Sequence, residues 1–249
     1  MEIFSTFSGE LWALIMLGAF IIGLSKAGLK GVELLNVTIM ALVFGSKAST
    51  GVVLPLLCVA DIFAVVYYNR HAQWPHFWRL IPWIALGILM GVYIGKVIDE
   101  ALFKKIMAII ILLTVIIMIW IEYRKSAKIP TNKLFSIAIG LITGITTMLG
   151  NLAGAFSNIY FLAHRTSKND FIGTAAWIFL FMNLFKMPFQ IFVWKNITTA
   201  TLQLDLVLIP AIFLGFFAGI KIVAIIKDDS YRKVVLALTL IGAIAIFVR

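Results

Sequence analysis

Five charged side chains lie in or beside long apolar stretches and are the first candidates for chemistry. Asp61 lies near the middle of an apolar segment, and Lys186 lies in a stretch rich in Phe, Leu and Met. Lys26, Lys30 and Glu33 follow another apolar segment at a glycine-rich joint. A charged side chain at the centre of a membrane-spanning helix costs about 2.5–3.5 kcal/mol on insertion scales. Each of these residues therefore needs a partner, a cavity or a function.

Two interpretations of Asp61 and Lys186 stay open at this point. Lys186 follows Asn183 by three residues, so the two share one helix face. In the first interpretation Asp61 and Lys186 form an ion pair that neutralises both charges. In the second, Lys186 binds an anion and Asp61 is its gate or proton carrier.

The spacing of Lys26 and Lys30 favours a break in the chain. Two like charges four residues apart repel each other on one helix, and Glu33 lies one turn beyond Lys30. A break at membrane depth would attract an anion through its freed amides and half-helix N-termini. A break near the surface would simply let both lysines reach water.

Asparagines follow both glycine-rich joints and could line a polar site. Their amides present donors and acceptors without a permanent charge, although hydrogen bonds between helices are a competing role. Ser25, Thr146, Thr147 and Ser157 are close by in the sequence. The residues predicted to bind substrate are Lys26, Lys30, Asn36, Asn151, Asn158, Asn183 and Lys186, and those predicted to couple or gate are Glu33 and Asp61.

The elements that position these residues are predicted to be membrane helices. With 62% hydrophobic and 13% charged residues, the chain has more apolar surface than a water-soluble core of this size can bury. The sequence predicts an all-α integral membrane protein with apolar segments at 10–28, 32–45, 48–69, 79–97, 101–121, 134–149, 151–164, 170–193, 203–225 and 231–248.

Two of the segments, 32–45 and 151–164, are too short to cross a bilayer of about 30 Å as straight helices. We expect each to be half of a broken or re-entrant hairpin, near 23–36 and near 144–158, which gives eight to ten transmembrane or re-entrant helices. Helical hydrogen bonding could lapse at glycines in these hairpins. The predicted hinges are Gly28, Gly31, Gly150 and Gly154.

An internal repeat divides the chain into two halves. An offset of 122 residues aligns Gly28 with Gly150, Asn36 with Asn158, and Asp61 with Asn183. An offset of 128 then aligns Leu80-Ile81-Pro82 with Leu208-Ile209-Pro210. We assign the first repeat to 1–122, a cytoplasmic linker to 123–133 and the second repeat to 134–249. Each half has an odd number of segments, so the sequence predicts two inverted repeats, which are typical of secondary transporters.

Several functional classes are disfavoured. Cys58 is the one cysteine and lies in an apolar segment, while His71, His76 and His164 lie at membrane edges without ligand spacing. We therefore expect no metal and no cofactor. No set of nucleophile and base is recognisable at membrane depth, so we expect no catalytic residues and no enzyme.

The net charge of +10 reflects membrane orientation rather than nucleic-acid binding, because the Lys and Arg residues lie mostly in short breaks between apolar segments. If the segments alternate, one side carries Arg70, Arg79, Arg124, Lys125, Lys128, Lys133, Arg165, Lys168, Lys227, Arg232 and Lys233, and the other carries Lys47, Lys96, Lys104, Lys105, Lys195 and Arg249. The larger group should be cytoplasmic, which places both termini outside the cytoplasm.

The order of these motifs resembles the sulfite exporter TauE/SafE family, also called the toluene sulfonate uptake permease family. The resemblance covers nearly the whole chain. It is carried by Gly28-Leu29-Lys30-Gly31, by the stretch from Arg79 through Gly87 and Gly91, by Gly140 to Gly150, by Gly173-Thr174 and by Asn183.

The resemblance implies a secondary transporter that moves a small sulfur-containing anion, such as sulfite or an organosulfonate, across the bacterial cytoplasmic membrane, outward in the case of an exporter. The residues agree with an anion, because three lysines within the apolar region outnumber Glu33 and Asp61. The expected partners are the anion, a coupling proton or sodium ion and the lipid bilayer, with a homodimer left open. A passive anion channel and a transporter of another small organic anion are the alternatives.

Overall fold

A computed structural model of the chain describes residues 7–123 and 132–247. These residues form ten α-helices and no strand. The helices are α1 (Gly9–Lys26), α2 (Glu33–Phe44), α3 (Ser46–Tyr68), α4 (Trp74–Val97), α5 (Glu100–Tyr123), α6 (Lys133–Gly150), α7 (Ala153–Ala163), α8 (Lys168–Pro188), α9 (Thr199–Ile225) and α10 (Asp228–Phe247). A short 3-10 turn, Asn69–His71, follows α3, and a π-helical turn, Phe189–Val193, continues α8.

Each predicted apolar segment corresponds to one of these helices. The largest shifts are of five residues: α4 begins at Trp74 rather than at 79, and α8 ends at Pro188 rather than at 193, where the π-helical turn ends. Pro75 fits the first turn of a helix, because an amide there has no helical partner to lose. Most of the predicted linker 123–133, with Arg124, Lys125 and Lys128, lies outside the described residues.

Six helical stretches in the described ranges are long and apolar enough to cross a membrane: Gly9–Lys26, Ser46–His71, Trp74–Val97, Lys133–Gly150, Lys168–Val193 and Thr199–Ile225. By contrast, α2 has 12 residues and α7 has 11. At 1.5 Å per residue, each is shorter than about 20 Å and falls well below the bilayer thickness. The two predicted short segments are therefore present as short helices.

Two long helix pairs, α4 with α6 and α1 with α9, provide the most extensive packing. Glycines bring the backbones together in both pairs. A Cβ atom at Gly87 of α4 would lie 3.0 Å from the Cα atom of Gly144 in α6, and one at Gly215 of α9 would meet the backbone of Phe20 in α1. Small residues allow such close approach between membrane helices.

The helix packing can be compared with the repeat predicted from the sequence. Under the sequence offsets, α1 corresponds to α6 and α4 corresponds to α9, so the contact of α4 with α6 is the counterpart of the contact of α9 with α1. The equivalent helices α3 and α8 also pack against each other. This is the pattern that two related halves would produce, while their opposite topology stays a prediction.

Candidate functional site

The first break lies between α1 and α2, where the predicted hinge glycines adopt positive φ angles. Helix α1 ends at Lys26, and Gly28 and Gly31 have φ angles of 116° and 104° before α2 begins at Glu33. Residues with a Cβ atom rarely adopt such φ angles, so this backbone conformation requires glycine. Lys26 is therefore the last residue before a true interruption of the helix, and Lys30 lies within the interruption.

Two tyrosines donate hydrogen bonds to backbone carbonyls at this break. The hydroxyl of Tyr68 donates to the carbonyl of Ala27 over 2.8 Å, and the hydroxyl of Tyr231 donates to the carbonyl of Gly28 over 2.6 Å. A bilayer offers no water to unpaired carbonyls, so irregular backbone needs such partners. The break is thus held by residues from α3 and α10.

At the second break the chain turns at Asn151, and not at the glycines that were predicted to be hinges there. Asn151 has a φ angle of 55° and caps the C-terminus of α6. Asparagine tolerates this left-handed conformation better than most residues. Gly150 is the last residue of α6, and Gly154 lies inside α7. Gly154 instead provides space, because a Cβ atom there would overlap the carboxylate of Glu33.

Glu33 connects the first break to the second half of the chain. One carboxylate oxygen, Oε2, accepts from the Gly31 amide over 2.6 Å and from the Ser25 hydroxyl over 3.2 Å. The other, Oε1, accepts from the Nδ2 atom of Asn158 over 3.2 Å. The contacts of Glu33 thus come from α1, from the break itself and from α7.

Asp61 is completely buried in α3 and pairs with Lys26, not with Lys186. The Nζ atom of Lys26 lies 2.6 Å from Oδ1 of Asp61, and the Nδ2 atom of Asn183 donates to Oδ2 over 2.6 Å. The ion-pair interpretation of Asp61 and Lys186 is therefore wrong. The physical reason is that α1 ends beside α3, which places Lys26 next to the Asp61 carboxylate.

Lys186 is bound by uncharged oxygen atoms at the C-terminus of α6. Its Nζ atom donates to the carbonyl and hydroxyl of Thr147, over 3.1 and 3.0 Å, and to Oδ1 of Asn151 over 2.7 Å. The negative end of a helix dipole favours a cation at this position. With only 1% of its surface exposed, Lys186 does not extend to the membrane surface.

Lys30 is also buried, and its ammonium group packs on an aromatic ring. The Nζ atoms of Lys30 and Lys26 lie 4.8 and 4.5 Å from the ring centre of Phe179, a range in which cations and aromatic rings attract. Lys30 forms no ion pair with any residue in the described ranges. It therefore adds a positive charge that no described carboxylate directly neutralises.

A small cavity lies between the two breaks. Its volume is about 30 Å³, and its lining is Ile22, Ser25, Lys26, Glu33, Asn36, Val37, Leu57, Thr147, Asn151, Ala153, Gly154, Phe179 and Asn183. A site of about 10–15 Å³ holds one water molecule, so this cavity has room for one or two waters. A polyatomic anion would need the surrounding helices to move apart.

Five of the nine predicted site residues border this cavity: Lys26, Glu33, Asn36, Asn151 and Asn183. Each of the other four contacts a lining residue but does not border the cavity itself. Asp61 pairs with Lys26, Asn158 donates to Glu33, Lys186 donates to Asn151, and Lys30 packs on Phe179. The structure thus gathers all nine residues around one site, but only five line it.

A polar chain beyond Asn151 was not predicted from the sequence. Asn151 donates to the carbonyl of Thr50, and the hydroxyl of Thr50 accepts from Gln190. Gln190 then accepts from Asn196, which also donates to the carbonyl of Lys47. The signal was a buried glutamine among Phe, Ile and Val residues, placed on the π-helical turn. Such turns occur often at functional sites.

A comparison with protein families decides what kind of protein carries this site. The model of the sulfite exporter TauE/SafE family matches residues 15–246, which is nearly the whole chain. The chain belongs to this family. No curated protein and no solved structure matches the chain.

Membership of the TauE/SafE family confirms two predictions made from the sequence. The chain is a multi-pass integral membrane protein, and it is a membrane transport protein rather than an enzyme. The matched range includes both breaks, the cavity between them and every predicted site residue. The site described above is therefore part of the region that defines the family.

Proposed function

We propose that this TauE/SafE protein is a secondary transporter that exports a small sulfur-containing anion, such as sulfite or an organosulfonate, across a bacterial cytoplasmic membrane. One observation carries the proposal. The cavity lies between two broken helices, and three buried lysines surround it against two carboxylates, Glu33 and Asp61. An excess of positive charge in a medium of low dielectric constant favours an anion.

The residues around the cavity have distinct proposed roles. Lys26 provides the charge that faces the substrate, and Asn36, Asn151 and Asn183 provide amide groups that orient it. Lys186 acts through Asn151, which it holds by a 2.7 Å hydrogen bond. Lys30, whose ammonium group packs on the ring of Phe179, raises the local positive potential.

Movement of the two broken helices would admit and release the substrate. The cavity is too small for a polyatomic anion, so binding requires a rearrangement of the lining. Gly28, Gly31 and Asn151 are the residues with positive φ at the two breaks and are the proposed pivots. A cavity too small for the substrate, placed between the two breaks, fits alternating access better than an open channel.

Coupling to a proton or sodium gradient is part of the proposal, with Asp61 and Glu33 as the coupling or gating residues. Both carboxylates bridge the two halves, Asp61 through Asn183 and Glu33 through Asn158. Any change in their charge would therefore alter contacts between the halves. Anion flux in proteoliposomes that ignored both gradients would contradict this part of the proposal.

The substrate class is tested by thermal stabilisation of the purified protein. Sulfite, thiosulfate, several sulfonates and several carboxylates would be added separately at matched ionic strength. A ligand that binds only the folded protein stabilises it in proportion to the logarithm of its concentration above the dissociation constant. We expect sulfur oxyanions to raise the unfolding temperature and carboxylates to have less effect. No shift with any sulfur oxyanion would contradict the proposed substrate class.

A further inference from the structure

The Glu33 carboxylate is surrounded by hydrogen-bond donors in the way that a bound anion would be. Its carboxylate accepts from the Gly31 amide, the Ser25 hydroxyl and the Asn158 amide group, at 2.6, 3.2 and 3.2 Å. All three partners are hydrogen-bond donors, and they come from three different elements of the chain. Charge-assisted bonds to a carboxylate are the strong kind, so this set of donors is built for a negatively charged oxygen group.

The same carboxylate borders the substrate cavity. Glu33, Ser25 and Lys26 all line it, and Gly154 lies directly against the Oε1 atom. Because Gly154 has no side chain, the carboxylate can lie against the start of α7. The Glu33 side chain forms part of the cavity wall. An entering oxyanion would meet donors that Glu33 already holds.

We propose that the Glu33 carboxylate is a tethered competitor of the transported anion, which rests on the proposed function. In the closed state Glu33 occupies the donors of Ser25, Gly31 and Asn158. The substrate oxyanion displaces it and takes these donors, together with the charge of Lys26. The group that fits these donors is thus one with at least two oxygens that share negative charge, such as sulfite or a sulfonate.

Displacement of Glu33 would also connect binding to movement. The bond from Asn158 to Glu33 joins the second half to the first break, and it is lost when the carboxylate leaves. The bond to the Gly31 amide is lost at the same time, beside a glycine with a φ angle of 104°. Substrate binding therefore exchanges contacts at one of the proposed pivots.

Three variants of Glu33 test the proposal, with sodium sulfite as the probe and the dissociation constant as the readout. Glu33→Ala frees the donors and enlarges the cavity, whereas Glu33→Gln keeps the size and removes the charge. We expect Glu33→Ala to bind sulfite about tenfold more tightly, because apparent affinity is proportional to the fraction of time for which a site is free, and a site blocked about nine-tenths of the time binds tenfold more weakly. Glu33→Gln should also gain affinity, by a smaller factor, and Glu33→Asp, which keeps the charge, should bind sulfite no more tightly than the wild type.

Glu100→Ala is the matched control. Glu100 also uses its carboxylate to accept backbone amides, those of Ser46 and Lys47, but it does not line the cavity. Removing it should leave the dissociation constant for sulfite unchanged, even if stability falls.

Each outcome decides between the proposals. If wild-type protein binds sulfite but neither Glu33→Ala nor Glu33→Gln binds it more tightly, the competitor role is overturned and the transport proposal stands. A gain in Glu33→Ala alone would overturn charge competition, since cavity size would then explain the effect. If neither the wild type nor any variant binds sulfite, sulfite is overturned as the substrate and the competitor role fails with it. If Glu33→Ala does not fold, Glu33→Gln alone tests the competitor role. This variant should fold, because its amide oxygen can still accept from the Gly31 amide.

Discussion

Asn183 donates a hydrogen bond of 2.6 Å to Asp61, and the two residues are separated by 122 positions, the offset that aligns the two halves of the chain. Equivalent residues of two related halves would meet at a two-fold axis between them. The bond from Lys26 to Asp61 and the cavity lined by Lys26 and Asn183 lie at the same place. The two halves predicted from the sequence would therefore meet at the candidate site.

The buried pair of Lys26 and Asp61 gives the first prediction. Lys26→Met leaves the Asp61 carboxylate in the core without its cation and should lower the free energy of unfolding by about 3–5 kcal/mol. Adding Asp61→Asn removes the orphaned charge, so the double variant should recover much of this loss. Unfolding of the purified variants in detergent measures both changes. A double variant no more stable than Lys26→Met would contradict the pairing, and Lys221→Met, at an exposed lysine, is the control.

The second prediction concerns Lys186 and Asn151. If Lys186 acts through Asn151, then Lys186→Met and Asn151→Ala should each weaken sulfite binding about tenfold, the equivalent of one lost hydrogen bond. The double variant should be no weaker than either single variant, because both remove the same interaction. Titration of sulfite into each variant gives the comparison, with Lys104→Met at an exposed position as the control. Additive losses would mean that Lys186 contacts the anion itself.

The third prediction tests the support of the first break. Tyr231→Phe removes the hydroxyl that donates to the buried carbonyl of Gly28. An unsatisfied buried carbonyl costs about 1–3 kcal/mol, and we expect the free energy of unfolding to fall by that amount. Tyr93→Phe is the matched control, since 71% of the Tyr93 surface is exposed. Equal stability of the two variants would show that the break does not depend on this bond.

The fourth prediction concerns Asp205, which lies in α9 and was not singled out from the sequence. Both of its carboxylate oxygens are buried and have no hydrogen-bond partner among the described residues. A buried polar group without a partner is a cost to folding, so Asp205→Leu should raise the free energy of unfolding by about 1–3 kcal/mol. Thermal unfolding in detergent checks this, and Asp205→Asn should show a smaller gain. A loss of stability with leucine would mean that the carboxylate makes a favourable contact.

The helices could be predicted because their signal is local. Apolar length sets each span, and the glycines at 28 and 31 mark the first break through their positive φ angles. The partners of the buried charges could not be predicted in this way. Lys26 and Lys186 both lie in apolar surroundings, and only packing between the halves decides which of them reaches Asp61. Asn151 was not predicted to be the turning residue, because asparagine adopts a left-handed conformation only where its context requires it.

Two further residues show the limit of the sequence pattern. Gln190 is one polar residue in an apolar stretch, and its importance appears only when Thr50 and Asn196 are seen beside it. Asp205 stands near the predicted start of its segment at 203, where a carboxylate is ordinarily hydrated. The helix in fact begins at Thr199, so Asp205 lies about 9 Å further along the axis, at 1.5 Å per residue.

Release of sulfite from proteoliposomes tests directly whether the protein transports a sulfur-containing anion. Vesicles with wild-type protein, vesicles with Asn36→Leu and protein-free vesicles would be loaded with sulfite, and its appearance outside would be followed over time. Asn36 suits this test because it lines the cavity and its Oδ1 atom has no partner among the described residues, so its replacement should spare the fold. We predict rapid release from wild-type vesicles and near-background release from the other two. Wild-type release no faster than that of protein-free vesicles would contradict the account.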